Sequence, residues 1–378
     1  MKLSLNSPSI DLVSTSRADF DLLTPLFEKL SQSRRAKVRM VLGGTHLDNA
    51  FGHRTESESL AIKYPGKVYF LDSNQTDLMK QLDFFSLQAE LYRRFQTRHG
   101  VANGMVILGD RFELLAYTSL ALLQGTKIFH LHGGEKTEGA IDDRIRPAVS
   151  LLSDYHFVST VSSKNRLLKL GIPRQRILVT GPFVIDVLCQ VPPVSIEDLL
   201  DRLNFSRFKI KKLAMVTLHS ETTHPQNNAK NVKSLKRVLQ VLLKSSNWGV
   251  VITGPNSDPG SVEIWDGLKH VYGDHLQVRF VLNLGFPLYL QTAKKSSLII
   301  GNSSSGIIEM PFLGIPVVNI GDRQKGRERM GRVVELKSGK SLSEAQLKKI
   351  FNSQQTAKIN KLKSPAALAA QTISKVLK

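Results

Sequence analysis

Short, almost unbroken apolar runs recur along this chain, each followed by a longer stretch where apolar residues return every three or four positions. Ile10–Val13, Val38–Leu42, Met105–Leu108, Thr126–Leu131, His156–Ser159 and Arg176–Val179 have the length and density of strands covered on both faces. Phe20–Leu30, Phe112–Leu123, Asp143–Leu152 and Ser162–Leu170 carry helical spacing between them. Gly171-Ile172-Pro173 stops the last of these helices before the next strand. Such alternation predicts a mostly parallel sheet.

The texture changes between Cys189 and Lys212, where Val191-Pro192-Pro193-Val194 breaks the pattern and a polar, basic stretch follows. A second series then begins, with strands expected at Leu213–Thr217, Val250–Thr253, Val278–Leu282, Ser297–Ile300 and Val317–Ile320. Helical patterns fill Asn231–Leu243, Pro287–Lys295 and Ser305–Phe312. The fold class is α/β, with two Rossmann-like domains at residues 1–190 and 205–360 facing a cleft. The last segment, 361–378, is expected to be a helix packing back near the first domain. A chain of 378 residues is long enough for two cores.

Composition narrows the class. Hydrophobic residues make up 41% and charged residues 22%, as in a globular protein. A single cysteine, Cys189, excludes an internal disulfide framework and a cysteine-rich zinc module. No run approaches the roughly 18 apolar residues of a membrane span. The first residues lack the apolar core of a secretion signal, so a cytoplasmic protein without membrane insertion is expected. Lys and Arg total 52 against 32 Asp and Glu, a net charge of +20. That excess suits an anionic partner, whether nucleic acid, a membrane surface or a small substrate. The basic residues are dispersed, and zinc-finger spacing, leucine heptads, GxxxxGK[ST] and GxGxxG are all absent.

Four clusters carry candidate chemistry. Gly109-Asp110-Arg111-Phe112-Glu113 follows an apolar strand and opens a helix, so Asp110 is either a helix cap or a carboxylate at a strand tip. His130-Leu131-His132-Gly133-Gly134-Glu135-Lys136-Thr137-Glu138 comes next, with Asp142-Asp143-Arg144 beyond it. Strand alternation places His130 and His132 on one face. The cluster suits an acid–base pocket, with a metal site through the histidines and a carboxylate, or a plain surface loop, as the other readings. His219-Ser220-Glu221 follows the first strand of the second series, where a histidine is a suitable donor to a charged leaving group. Gly301-Asn302-Ser303-Ser304-Ser305-Gly306 precedes a helical run; its hydroxyls and amides make an anion site without a phosphate-loop lysine. Glu309 then falls within reach of a ribose diol, and Arg323, in a basic loop, can clamp a diphosphate.

GDRFE, HLHGGEKTEGAIDDRIR, VTLHSET, GNSSSGIIEMPFLGIPVVNIGDRQKGR and the opening STSRADFDLLTPL resemble the hydrolysing UDP-N-acetylglucosamine 2-epimerases of sialic acid and related nonulosonate synthesis. The likeness runs from about Ser14 to Arg332. It implies a fold like that of the B-type glycosyltransferases, UDP on the second domain and an amino sugar against the first. By position it implies acid–base chemistry at Asp110, His132 and Asp143 with Glu135 and Glu138 beside them, and at His219. It places Arg17 and His219 near the diphosphate, Ser303, Ser304 and Gly306 in the phosphate turn, Glu309 on the ribose and Arg323 near the nucleotide. It implies no metal or cofactor, and a homo-oligomer, dimer or tetramer, is expected. Thr15, Ser220 and Gly254 depart from the family's glycine, proline and tyrosine.

The implied reaction eliminates UDP from C1 as the C2 proton leaves, then adds water and returns a proton to the opposite face of C2. Its simplest form converts UDP-GlcNAc to N-acetylmannosamine and UDP. The same chemistry on UDP-N,N'-diacetylbacillosamine leads toward legionaminic acid, with His46 and His53 as candidate discriminators at C4. A UDP-sugar glycosyltransferase, a non-hydrolysing epimerase and a nucleic-acid-binding protein on an enzyme-like scaffold are the competing readings.

Overall fold

The computed structural model describes residues 7–352 and 363–378, apart from 34, 48–54, 72–80, 137–141, 206–208, 222–223, 255–258 and 330. Among these, the chain divides into two compact units. One takes in the residues up to Val187 together with Lys363–Lys378, and the other the residues between.

The first unit holds strands β1 (Ser9–Ser14), β2 (Lys37–Leu42), β3 (Val68–Phe70), β4 (Gly104–Leu108), β5 (Lys127–Leu131), β6 (Tyr155–Val158) and β7 (Ile177–Val179). They form one parallel sheet in the order β3-β2-β1-β4-β5-β6-β7. Period-two alternation sends Ile10, Leu12, Met40, Val106 and Phe129 to one face. Val13, Val41, Met105, Ile107 and Ile128 go to the other. The first face is covered by helix Arg17–Ser33 and by helix Pro365–Val376, which contributes Ala366, Ala369 and Ile373. The Asp186 carboxylate anchors that last helix, accepting from the Ala366 amide at 2.7 Å and from the Ser364 hydroxyl.

The second unit holds β8 (Lys212–Thr217), β9 (Trp248–Thr253), β10 (Val278–Val281), β11 (Ser296–Gly301), β12 (Val317–Ile320) and β13 (Val333–Leu336). These are again all parallel, in the order β10-β9-β8-β11-β12-β13. Helices Asn228–Leu242, Ser261–Tyr272 and Glu344–Phe351 pack on one face through Leu235, Leu239, Leu268 and Leu347.

Every strand read from the sequence is present within two residues of its expected bounds. The pattern did not reveal β3, only three residues long, or β13, a half-buried edge strand. The helix expected over Ser305–Phe312 ends at Ile308, and a 3-10 turn covers Met310–Leu313. Pro311 explains the break, because it supplies no amide to continue an α-helix.

Two buried polar arrangements bear on stability. Asp11 and Arg39 lie opposite each other in the β1–β2 register. Arg39 Nε and Nη2 reach the two Asp11 oxygens at 2.5 and 3.0 Å, the Tyr92 hydroxyl donates to Asp11 at 2.8 Å, and Arg39 also bonds the carbonyls of His99 and Gly100. His130 and His156 face each other across β5 and β6 with ring centroids 6.2 Å apart. Burial pushes their pKa values down to about 4 and about 3.

Arg39→Met leaves the Asp11 charge buried without its cation and is expected to cost about 3–5 kcal/mol in urea denaturation; an unchanged midpoint would remove this pair from the stabilising set. The histidines set an acid limit. Their pKa values are lower folded than unfolded, so below about pH 6.5 the unfolded chain binds protons that the folded one refuses. Stability is expected to fall from pH 6.5 toward pH 4, and His156→Phe to flatten that slope in urea midpoints at pH 7 and pH 5.

Candidate active site

In each sheet the strand order reverses once, between β1 and β4 and between β8 and β11. Ligands of open α/β sheets bind beyond the carboxyl ends of the strands at such points. The described residues singled out from the sequence follow β1, β2, β4 and β5 in the first unit and β8, β11 and β12 in the second, at the carboxyl ends of these strands.

In the first unit the chain leaves β4 through Gly109, whose φ of 84° suits glycine. Asp110 follows but caps nothing, because the next helix starts at Leu114 with Glu113 in the cap position. Its carboxylate instead forms an ion pair with Arg146, a side chain 3% exposed on helix Asp142–Leu152. Arg146 Nη1 also donates to the Glu135 carbonyl at 2.6 Å. One guanidinium therefore ties the loop after β4 to the loop after β5. Asp143 sits three residues before Arg146, on the same side of the helix and half-buried.

The two histidines have separate partners. Alternation ends at Leu131, and His132 takes a left-handed backbone, φ 61°, so the one-face expectation does not extend to it. His130 is fully buried: Nε2–H donates to the Gly109 carbonyl at 2.8 Å and Nδ1 accepts from Ser150 at 3.1 Å. It stays neutral and holds the exit of β4. His132 Nε2 accepts from the Phe183 amide at 3.2 Å, which leaves the proton on Nδ1, 3.4 Å from Glu135 Oε1. The same Glu135 oxygen accepts from the Ser159 hydroxyl. Among the described residues no three His, Cys, Asp or Glu side chains are grouped to hold a metal ion.

Beside them, the loops after β1 and β2 are bound together. The Thr15 carbonyl accepts from the Thr45 amide at 2.9 Å and the Thr45 hydroxyl at 3.1 Å. A Cβ on Gly44 would lie 2.3 Å from that carbonyl. His46 is 6% exposed, with Nε2 bonded to Ser14 at 2.9 Å and its ring edge-on to Phe20. Arg17 opens helix Arg17–Ser33; its side chain, His53 and Glu138 lie outside the described residues.

In the second unit Asn302, fully buried, joins three loops. Its Oδ1 accepts from the His219 amide at 2.7 Å and its Nδ2 donates to the His219 carbonyl at 2.8 Å. Its own carbonyl accepts from Gln324 at 2.9 Å and Arg323 at 3.3 Å. Glu221 fastens the same region, accepting from the Asp322 amide and the Asn231 amide group, both at 2.8 Å. Two sequence departures find local reasons. The Ser220 amide donates to Ser261 at 3.1 Å, a bond proline would lose. A Cβ on Gly254 would lie 2.1 Å from the Leu282 carbonyl.

Ser303 stands at the cap of the five-residue helix Ser304–Ile308, its hydroxyl 3.2 Å from that of Ser305 rather than on a helix amide. Ser305 meets the Tyr289 hydroxyl at 2.5 Å, and Gly306 is buried against β11 and β12. A helix this short contributes little dipole, so what this turn can offer an anion is loop amides, hydroxyls and Arg323. Glu309 ends the helix. Burial raises its pKa to about 7, and its carboxylate has no hydrogen-bond partner among the described residues.

Arg146, Ser159, Asn302 and Tyr289 are the participants that sequence reading passed over. Arg146 carried one signal, its three-residue spacing from Asp143; the others act through contacts between distant segments.

Residues 28–378 match the family model described as UDP-N-acetylglucosamine 2-epimerase. A Campylobacter jejuni protein named GDP/UDP-N,N'-diacetylbacillosamine 2-epimerase (hydrolyzing) is 32% identical, over 88% of this chain and 85% of its own. A Legionella pneumophila UDP-N,N'-diacetylbacillosamine 2-epimerase (hydrolyzing) is 29% identical over 86% and 84%. Among solved structures, UDP-GlcNAc 2-epimerase from Neisseria meningitidis bound to UDP-GlcNAc superposes with a TM-score of 0.74 at 17% identity, covering 98% of this chain and 99% of that one. The fold is shared more distantly with a lipopolysaccharide outer core galactosyltransferase, TM-score 0.50 at 12% identity over 97% and 99% of the two chains. A match over most of its length and a 32% identical relative together mean that this chain belongs to the UDP-N-acetylglucosamine 2-epimerase family.

Proposed function

We propose that this protein is a hydrolysing 2-epimerase of a UDP-linked 2-acetamido sugar. The observation that carries the reading is the group of carboxylates Asp110, Glu135 and Asp143 on neighbouring strand-tip elements, with buried Arg146 gripping the first two segments. Elimination followed by hydration needs a base, an acid and a group to hold water, all near C2 and C1. A glycosyltransferase of the same fold needs a nucleotide site but not this set.

The roles divide between the units. In the first, Asp110, Glu135 and Asp143 exchange protons with C2 and water, and His132 orients Glu135. In the second, Ser303, Ser304, the Gly306 turn and Arg323 take the diphosphate, and Glu309 accepts from the ribose hydroxyls. His219, its backbone clamped by Asn302, serves the leaving phosphate. The sugar favoured is UDP-N,N'-diacetylbacillosamine, supported by the names of the 32% and 29% identical relatives. UDP-GlcNAc is the second reading, supported by a 27% identical Neisseria meningitidis relative named for it.

Incubation of each sugar nucleotide in deuterated buffer without acceptor is expected to release UDP and a free 2-epimer carrying deuterium at C2. Asp110→Asn is expected to lower kcat by about 10²–10⁴. Two inert sugars would favour transfer instead, and a larger kcat/KM for UDP-GlcNAc would reverse the order of substrates. Calorimetry with uridine and UDP separates the nucleotide contacts. Glu309→Gln is expected to weaken both about tenfold, whereas Ser304→Ala with Arg323→Ala should weaken UDP and spare uridine. Equal losses for both ligands in the double variant would move the phosphate site elsewhere.

A further inference from the structure

A short path of contacts, all within the first unit, runs from the C-terminal helix to the acid–base loops. Helix Pro365–Val376 begins beside the loop that follows β7 and brackets Phe183 there. On one side lies Pro365, since a Cβ added to Gly181 would stand 3.8 Å from Pro365 Cγ. On the other, buried Asp186 accepts from the Ala366 amide at 2.7 Å and from the Ser364 hydroxyl. That hydroxyl works twice, because it also accepts from the Ala367 amide at 3.0 Å and so caps the helix. Asp186 is tied back to Phe183 by its own amide, which donates to the Phe183 carbonyl at 3.1 Å. The fully buried Phe183 side chain shares its core with Ala366, Ala369 and Ile373 of the helix.

Phe183 ends this path at His132. Its amide donates to His132 Nε2 at 3.2 Å, and the two rings lie tilted with centroids 5.8 Å apart. A backbone amide can only donate, so Nε2 is bare and the proton of the neutral ring sits on Nδ1. Nδ1 is 3.4 Å from Glu135 Oε1. With the proton on Nε2 instead, a bare Nδ1 lone pair would face the carboxylate and repel it. The backbone of His132 is held separately, its amide donating to the Phe157 carbonyl at 2.9 Å. The position of the Phe183 amide therefore decides whether the ring attracts Glu135.

We propose that Asp186 is a positioning residue: by docking the C-terminal helix it holds the Phe183 amide on His132 Nε2, and so keeps the Nδ1 proton of His132 aimed at Glu135. Asp186 acts through Phe183 and His132, and the helix that it anchors becomes part of the support of the acid–base loops. The catalytic consequence rests on the epimerase reading of the site, whereas the tautomer of His132 can be read without any substrate.

Histidine-selective nitrogen-15 labelling of the full chain, in mildly alkaline buffer without ligand, reports which ring nitrogen carries the proton; His132→Gln identifies the signal. The wild type is expected to show His132 with a protonated Nδ1 and a bare Nε2. Asp186→Ala should move much of that signal to the Nε2–H form, and Ser364→Ala, which keeps the Ala366 contact, a smaller part. With whichever sugar nucleotide the wild type turns over, Asp186→Ala should lower kcat by about 10–100-fold and leave KM within about twofold. A merely structural anchor would lower the urea midpoint and leave the ring unchanged. Wild-type His132 protonated on Nε2 would overturn the proposal. So would a folded Asp186→Ala with the wild-type tautomer, or one with a shifted tautomer and unchanged kcat. If Asp186→Ala does not fold, the wild-type and Ser364→Ala spectra decide. A wild type inert toward both sugars would overturn the epimerase reading, and the ring spectra would still decide the role of Asp186.

Discussion

Parallel pairing sends every carboxyl-terminal loop of a sheet to the same edge, and the site depends on that constraint. Both sheets are parallel throughout the described residues, so the loops after β1, β2, β4 and β5 crowd one edge of the first, and those after β8, β11 and β12 one edge of the second. Crowded loops expose backbone donors and acceptors that need partners. Each unit meets this need with a buried polar side chain that spans several loops: Arg146 in the first, Asn302 in the second.

These tethers do different electrostatic work. Arg146 pairs with the Asp110 carboxylate and donates to the Glu135 carbonyl, so it brings a cation to the two loops that carry these acids. Asn302 is neutral and bidentate, which fixes the backbone at His219 without adding charge to these loops. His130 follows a third pattern. Its burial keeps it uncharged, and its two nitrogens join the exit of β4 to helix Asp142–Leu152. The histidine that looked like half of a pair is a brace.

Glu309 is the polar group of the serine turn that burial perturbs most. A carboxylate with no described protein partner and a raised pKa is costly in the free protein. Under the nucleotide-sugar reading proposed above, two ribose hydroxyls would supply the missing donors.

The apolar rhythm by itself determined the described strands other than β3 and β13, their parallel sense and the two-series organisation, because burial on both sheet faces demands continuous apolar runs. The motifs at the ends of those runs marked Asp110, Glu135, His219 and the serine turn, and all but the one at His219 carry the glycines that permit a strand-tip turn. Strand order was not legible, for any arrangement of similar apolar strands satisfies the same pattern, and the switch points exist only once pairing is chosen. Nor were the partners of each polar residue. Asp110 could cap a helix or face a ligand until Arg146, 36 positions later, claimed it; His130 and His132 matched in spacing until a left-handed φ separated them. Hydrogen bonds between distant segments leave no periodic trace in sequence, so only the packed structure could assign them.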